Sequence, residues 1–149
     1  MEYDKLASTA TNFITACAPK SPNSNTPDAE AILGILAPDA RLQWGHKTFI
    51  ASSPWLQGHR TPQEFVQHMS GMASKLGTWK PSVTNTIVDV RKRRVMLRAD
   101  FHMTAQNGTT VLNDIIFIID VDESLEKIVT VTEFIDPKAA ELLREAIQA

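Results

Sequence analysis

Glu133 lies in an alternating apolar stretch, and a carboxyl set among apolar side chains has its pKa raised toward neutrality, where it can give or take a proton. The bland alternative is a solvated strand residue at a sheet rim. His102 titrates in the physiological range and can shuttle a proton between two substrate atoms. Asp100, two residues away on the same face of a strand, can orient it; a satisfied histidine paired with Asp100 or Asn113 is the structural alternative. Arg41 shares one side of a short strand with Gln43 and can hold an enolate or carbonyl oxygen, or simply pair with Asp39 or Glu30. His68 stands beside Phe65 and Met72 on a helix, where it either lines a pocket roof or packs as a structural histidine. His46 and His59 read as loop residues.

These groups need elements to position them. Leu6, Ala10, Phe13, Ile14 and Cys17 recur at helical spacing and predict a helix over 2–18, stopped by Pro19 and Pro22. Thr26-Pro27 opens a second short helix with Ile32, Ile35 and Leu36 inward, ended by Pro38-Asp39. Ala40 to Trp44 alternates as a short strand. Gly45 to Gly58, with Trp44, Phe49 and Trp55, reads as an irregular lid or rim. Thr61-Pro62-Gln63-Glu64 is a capping box with proline in the first turn, and its helix runs to about Leu76, closed by Gly77. The period then changes to two. Segments 79–90, 94–105, 110–121 and 127–135 predict four strands joined by short turns, hence antiparallel. Asp136-Pro137 opens a last helix with Ala140, Leu143 and Ile147 inward.

If Asn107-Gly108 forms a two-residue hairpin turn, Gln106 faces Thr109 and His102 faces Asn113. One sheet face then carries Arg98, Asp100, His102, Asn113 and Glu133 among Ile87, Phe117 and Val131, with Glu133 beside Ile115. The other carries Leu97, Ala99, Phe101, Ile116 and Ile118. The mixed face is expected to form a pocket under the helices, and the apolar face to be covered by a second copy of the chain.

The 149 residues make one domain, 1–149, large enough to bury a core without disulfide or metal. A net charge of −2 argues against a nucleic-acid partner. Cys17 is the one cysteine, and the four histidines show no metal-ligand spacing, so no metal and no cofactor are expected. No Gly-rich phosphate loop or Gly-x-Ser-x-Gly elbow occurs. The longest apolar run, Ile115 to Ile119, is too short to cross a bilayer, and the N-terminal residues do not read as a targeting signal, which gives the cytoplasm as the expected compartment.

The stretch Asn113-Asp114-Ile115-Ile116-Phe117-Ile118-Ile119-Asp120-Val121-Asp122-Glu123-Ser124, then Lys127-Ile128-Val129 and Glu133-Phe134-Ile135-Asp136, resembles the C-terminal half of fungal SnoaL-like proteins of the NTF2-like superfamily. The resemblance is specific over about 108–140 and loose before it. It implies an α+β conical barrel, a curved antiparallel sheet wrapped by helices around a pocket, commonly dimeric. It also implies cofactor-free cyclisation, isomerisation or dehydration of polyketides, meroterpenoids or alkaloids. Glu133 matches the Glu of the closing motif. Relatives place aromatic or Tyr residues on the strand that here reads Val111, Asn113 and Ile115; Tyr3 is the one tyrosine, so no phenol acid comes from that strand.

The expected enzyme is thus an isomerase or cyclase acting on a small-molecule substrate. Glu133, Arg41 and His102 are the candidate catalytic residues, and Asp100, Asn113, His68, Phe65, Phe117 and Trp55 the candidate substrate contacts. A ligand-binding module of the same fold and a dehydratase using a histidine pair and an Asp are the alternatives.

Overall fold

The computed structural model describes residues 1–21 and 24–148. Pro22 of the expected helix stop, and Asn23 beside it, lie outside these. The elements run α1 (Glu2–Ala16), α2 (Ala29–Ile35), β1 (Leu36–Gly45), α3 (Lys47–Ala51), a 3-10 turn (Pro54–Leu56), α4 (Pro62–Ala73), β2 (Leu76–Asp89), β3 (Arg94–Ala105), β4 (Thr110–Val121), β5 (Ile128–Phe134) and α5 (Pro137–Gln148). The sheet order is β1-β5-β4-β3-β2, antiparallel throughout except for β1 beside β5. This is the expected α+β architecture, a curved, unclosed sheet with helices on its concave side.

The local signals explain most of the boundaries. The Thr61 hydroxyl accepts from the Glu64 N–H and the Glu64 carboxylate accepts from the Thr61 N–H, closing the capping box of α4. That helix ends at Ala73, three residues before the expected end, because Leu76 is claimed by β2. The cap of α2 is Asp28 rather than Thr26, its carboxylate accepting from the Ala31 N–H at 3.1 Å. β1 starts four residues before the expected Ala40. Pro38 is tolerated there because β1 is an edge strand and the ladder is irregular between Leu36 and Arg41.

The β3–β4 hairpin departs from the expected register by one residue. Its loop has three residues, not two. The Ala105 N–H donates to the Thr109 carbonyl and the Gly108 N–H to the Ala105 carbonyl, each at 2.9 Å, and Gly108 takes φ 89°. That is a turn closed by a left-handed glycine, a conformation glycine adopts without Cβ strain. Phe101 therefore faces Asn113, and His102 faces Leu112. One residue of slip moves a whole strand's side chains to the opposite face.

The concave face consequently carries Val95, Leu97, Ala99, Phe101 and Met103 of β3 with Val111, Asn113, Ile115, Phe117 and Ile119 of β4, all buried. Leu6, Ala10, Phe13 and Ile14 of α1 complete this core with Phe65 of α4 and Leu143 of α5. The convex face carries Met96, Arg98, Asp100 and His102 with Leu112, Asp114, Ile116 and Ile118. The expected all-apolar outer row is corrected accordingly: Leu97, Ala99 and Phe101 are core, whereas Ile116 and Ile118 do face outward.

Candidate active site

A cavity of about 60 Å³ opens between the concave face and α4. β1 contributes Trp44, because its even-numbered residues Ala40, Leu42 and Trp44 point inward. α4 contributes His68, Met69, Met72 and Ala73 from the face that its helical period turns toward the sheet. Trp79, Phe101, Met103, Asn113, Ile115, Glu133 and Ile135 form the floor and sides. The walls are mostly carbon and thioether, and Glu133 and His68 are the titratable side chains among them.

Glu133 sits between Trp44 on β1 and Phe117 on β4, its Cα partners across the two ladders. It thus faces Phe117 rather than Ile115, though on the expected side of the sheet. Burial in this apolar setting pushes its carboxyl up to about 7; a hydrogen bond from the Trp44 side chain opposes the shift without cancelling it. His68 moves the other way. Burial first, then the nearby Arg60 charge, hold its imidazole down to about 4. Its ring lies 4.9 Å from the Trp44 ring, and Trp44 is also the partner of Glu133 across the β1–β5 ladder, so one residue adjoins both titratable groups.

The ordinary order of the two side chains is therefore reversed. Between about pH 4 and about pH 7 the carboxyl holds its proton while the imidazole is neutral. A pair whose environments drive the pKa values apart is divided into an acid and a base by that fact alone. Asn113 supplies a third polar group. Its Oδ1 accepts from the Asp136 backbone N–H at 3.2 Å, while its Nδ2 spends itself only on the Met103 sulfur at 4.0 Å, a weak contact that a substrate oxygen can replace.

Of the expected site residues, Glu133, Asn113 and His68 come together in this cavity. Arg41 and His102 do not. Arg41 is exposed on the convex side of β1, on the side where Gln43 donates to Thr132. His102 is exposed on the convex side of β3, its Cα paired with those of Lys80 and Leu112. Asp100 shares that face. The hairpin register moved His102 and Asp100 outward, and Arg41 follows the parity that sends Leu42 and Trp44 inward. Phe65 and Phe117 pack in the core instead of lining the cavity, against Phe13 at 5.8 Å and Phe101 at 5.9 Å. Trp55 is half exposed beneath the Arg144 guanidinium, 5.0 Å away, and lines no part of the cavity. The segment around it is partly ordered as α3, with Phe49 and Ile50 against the core.

Of the expected aromatic rim, Trp44 lines the cavity and Trp55 does not, whereas Trp79 and the three methionines are contacts the sequence reading misses. The alternation Ala40, Leu42, Trp44 was the available signal for Trp44. Among the described residues no group of three or more His, Cys, Asp and Glu side chains is gathered as a metal-ligand set, and no helix is long and apolar enough to cross a membrane.

No family model matches the sequence, and no curated protein matches it. Solved structures do. The fold is similar to that of PrhC from Penicillium brasilianum, with a TM-score of 0.81, 16% identity, and coverage of 99% of this chain and 91% of that one. The BvnE pinacolase from Penicillium brevicompactum gives a TM-score of 0.79 at 13% identity, covering 98% and 96%. An NTF2-like protein of unknown function from Burkholderia pseudomallei gives 0.72 at 18%, covering 97% and 98%. At such identities the likeness concerns the fold, and the fold is the NTF2-like one that the sequence resemblance implied.

Proposed function

We propose that the protein is a biosynthetic isomerase or cyclase that moves a proton between two positions of a polycyclic secondary metabolite, working without an organic cofactor or metal. The observation that carries this reading is the reversed pair, a carboxyl held up to about 7 and an imidazole held down to about 4 in one apolar cavity. Its fungal structural neighbours, one of them named a pinacolase, support a biosynthetic role.

In this mechanism the Glu133 carboxyl donates its proton to a substrate oxygen or alkene carbon. Neutral His68 takes a proton from the carbon or hydroxyl across the cavity. The Trp44 N–H orients the carboxyl and favours the carboxylate that the transfer leaves behind. Asn113 Nδ2 donates to the substrate oxygen. Dry walls strengthen each of these interactions. Ligand pockets usually enclose about 300–1,000 Å³, more than this cavity does, and a ring system gains its room from the flexible side chains of Met69, Met72 and Met103.

The dehydratase alternative needs two histidines on one substrate, and among the described residues His68 is the one histidine lining the cavity. A binding module would retain a ligand unchanged. The test is incubation of the protein with neutral, oxygenated polycyclic compounds, read by mass spectrometry. An isomerase or cyclase returns a product of unchanged mass, a dehydratase one lighter by water, and a carrier returns the input. Glu133→Gln keeps the shape and removes the titration, so turnover should fall about 10²–10⁴-fold with binding retained. Turnover like wild type refutes the mechanism.

For the convex face we propose a second copy of the chain as partner. Met96, Leu112 and Ile116 are each more than a third exposed there, interleaved with the two-pronged Arg98–Asp114 pair. An apolar surface carrying charges of both signs can complement itself across a two-fold axis.

A further inference from the structure

We infer that Arg60 is the positioning residue of the acid–base pair: clamped to the loop before α4, its guanidinium holds the Trp44 indole, which also meets the His68 ring, and so keeps that indole beside Glu133. The inference rests on the reading of Glu133 and His68 given above.

Arg60 is fixed from both ends. Its backbone forms a two-way bridge with Leu42, the Arg60 N–H donating at 2.8 Å and the Leu42 N–H at 3.1 Å, which ties the loop to β1 two residues before Trp44. Its side chain donates through Nη1 to the Gln57 carbonyl at 3.3 Å and through Nη2 to the Trp55 carbonyl. Between these anchors the guanidinium carbon lies 5.2 Å from the Trp44 ring centroid, within cation–π range. His68 meets the same indole at 4.9 Å with the ring planes tilted by 55°, so cation and imidazole lie no more than about 10 Å apart. A planar guanidinium can stack on a ring and reach two carbonyls at once; an ammonium cannot.

Arg60 has two effects in this geometry. Its charge disfavours protonation of His68, and its contact restricts the indole that stands beside Glu133, Trp44 and Glu133 being partners across the β1–β5 ladder. The charged or titratable groups around the pair are few. Arg60 faces His68 from the loop, Glu64 lies one turn back on α4 with its carboxylate on the Thr61 N–H, Glu133 lies on β5, and the Cys17 thiol comes from α1.

The experiment is a pH titration of ¹³C-labelled Glu and His side chains by NMR, in wild type, Arg60→Met and Arg60→Lys, with the melting temperature recorded for each. Arg60→Met removes the charge and the clamp. His68 should bind its proton roughly threefold to tenfold more tightly, and the Glu133 midpoint should rise above about 7 as the Trp44 side chain, which opposes that rise, drifts away. Arg60→Lys keeps the charge without the clamp, so His68 should stay near about 4 while Glu133 still rises. A folded Arg60→Met protein with both midpoints unmoved overturns the inference, even if it melts earlier. Movement of His68 alone also overturns it, because Arg60 then supplies charge without positioning. If Arg60→Met does not fold, an unmoved Glu133 midpoint in Arg60→Lys is the refuting result. Full turnover in Glu133→Gln would sink the proposed function yet leave these titrations standing, so the two failures are distinguishable.

Discussion

Glu133 and His68 make opposite demands on stability, and removing either one should expose the other. In the unfolded chain the carboxyl titrates near its ordinary value of 4.5 and the imidazole near 6.5; in the folded protein the values are about 7 and about 4. Between pH 4.5 and 6.5 the folded chain holds its proton on Glu133 and the unfolded chain holds one on His68. The proton counts match, so the pair together contributes almost no pH dependence there. In Glu133→Gln only His68 remains. The unfolded state then binds the extra proton, and stability must rise with pH across the window. In His68→Asn only Glu133 remains. The folded state binds the extra proton, and stability must fall as pH rises from 4.5 toward 7. One proton corresponds to about 1.4 kcal/mol per pH unit, hence about 2.7 kcal/mol over two units, and about 2 kcal/mol after allowing for the partial exposure of both side chains. With a urea slope of about 2 kcal/mol/M, each variant's midpoint should move about 1 M relative to wild type, in opposite directions. Urea unfolding at pH 4.5, 5.5 and 6.5, at one protein concentration, reads this directly. Two variants whose curves run parallel to wild type would refute the assignment of both shifts.

Gly45→Ala should cost about 1–3 kcal/mol in urea unfolding, because a Cβ there would lie 2.2 Å from the Phe134 ring, which must swing aside to admit it. Asn113→Leu should lower stability by about 1–3 kcal/mol, because the Asp136 N–H loses its acceptor in a half-buried position, and calorimetry checks it. Sedimentation should show a dimer that Ile116→Glu splits into folded monomers, since Ile116 is already 39% exposed in the single chain; a wild-type monomer at micromolar concentration contradicts the proposed partner. Saturable binding of an apolar ligand should change tryptophan emission in Trp55→Phe as much as in wild type, because Trp44 and Trp79 line the cavity and Trp55 does not.

Much of the fold could be read because local chemistry and global packing agree. The capping box at Thr61, the period-two runs and the Asp136-Pro137 start each correspond to an observed element, and the limits of β3 and β4 match their expected ranges. Glu133 was placed correctly since β4 and β5 keep one parity. His102 and Asp100 depart from the expected site at one joint, the β3–β4 hairpin. Asn107-Gly108 suits a two-residue turn, but Gln106 joins the loop, and that one residue carried Asp100 and His102 to the convex face. The correcting signal was present in β3 itself. Val95, Leu97, Ala99, Phe101 and Met103 form an unbroken apolar row, and the helices must cover such a row before any mixed one. Arg41 failed for a different reason. Its short strand lies at the sheet edge beside a chain-distant, parallel partner, a pairing that no turn announces. The Arg60–Trp44–His68 cluster joins a loop, a strand and a helix through tertiary contacts alone, so spacing along the chain carries no trace of it.

The reversed acid–base pair is tested most directly by following the Glu133 carboxyl and the His68 imidazole together in ¹³C NMR from pH 3 to 9. One glutamate carboxyl should show its midpoint near 7 and be missing in Glu133→Gln, and one imidazole should show its midpoint near 4 and be missing in His68→Asn. A Glu133 carboxyl that titrates near 4.5 beside a His68 imidazole that titrates near 6.5 would contradict it, for the cavity would then hold its groups in their ordinary order.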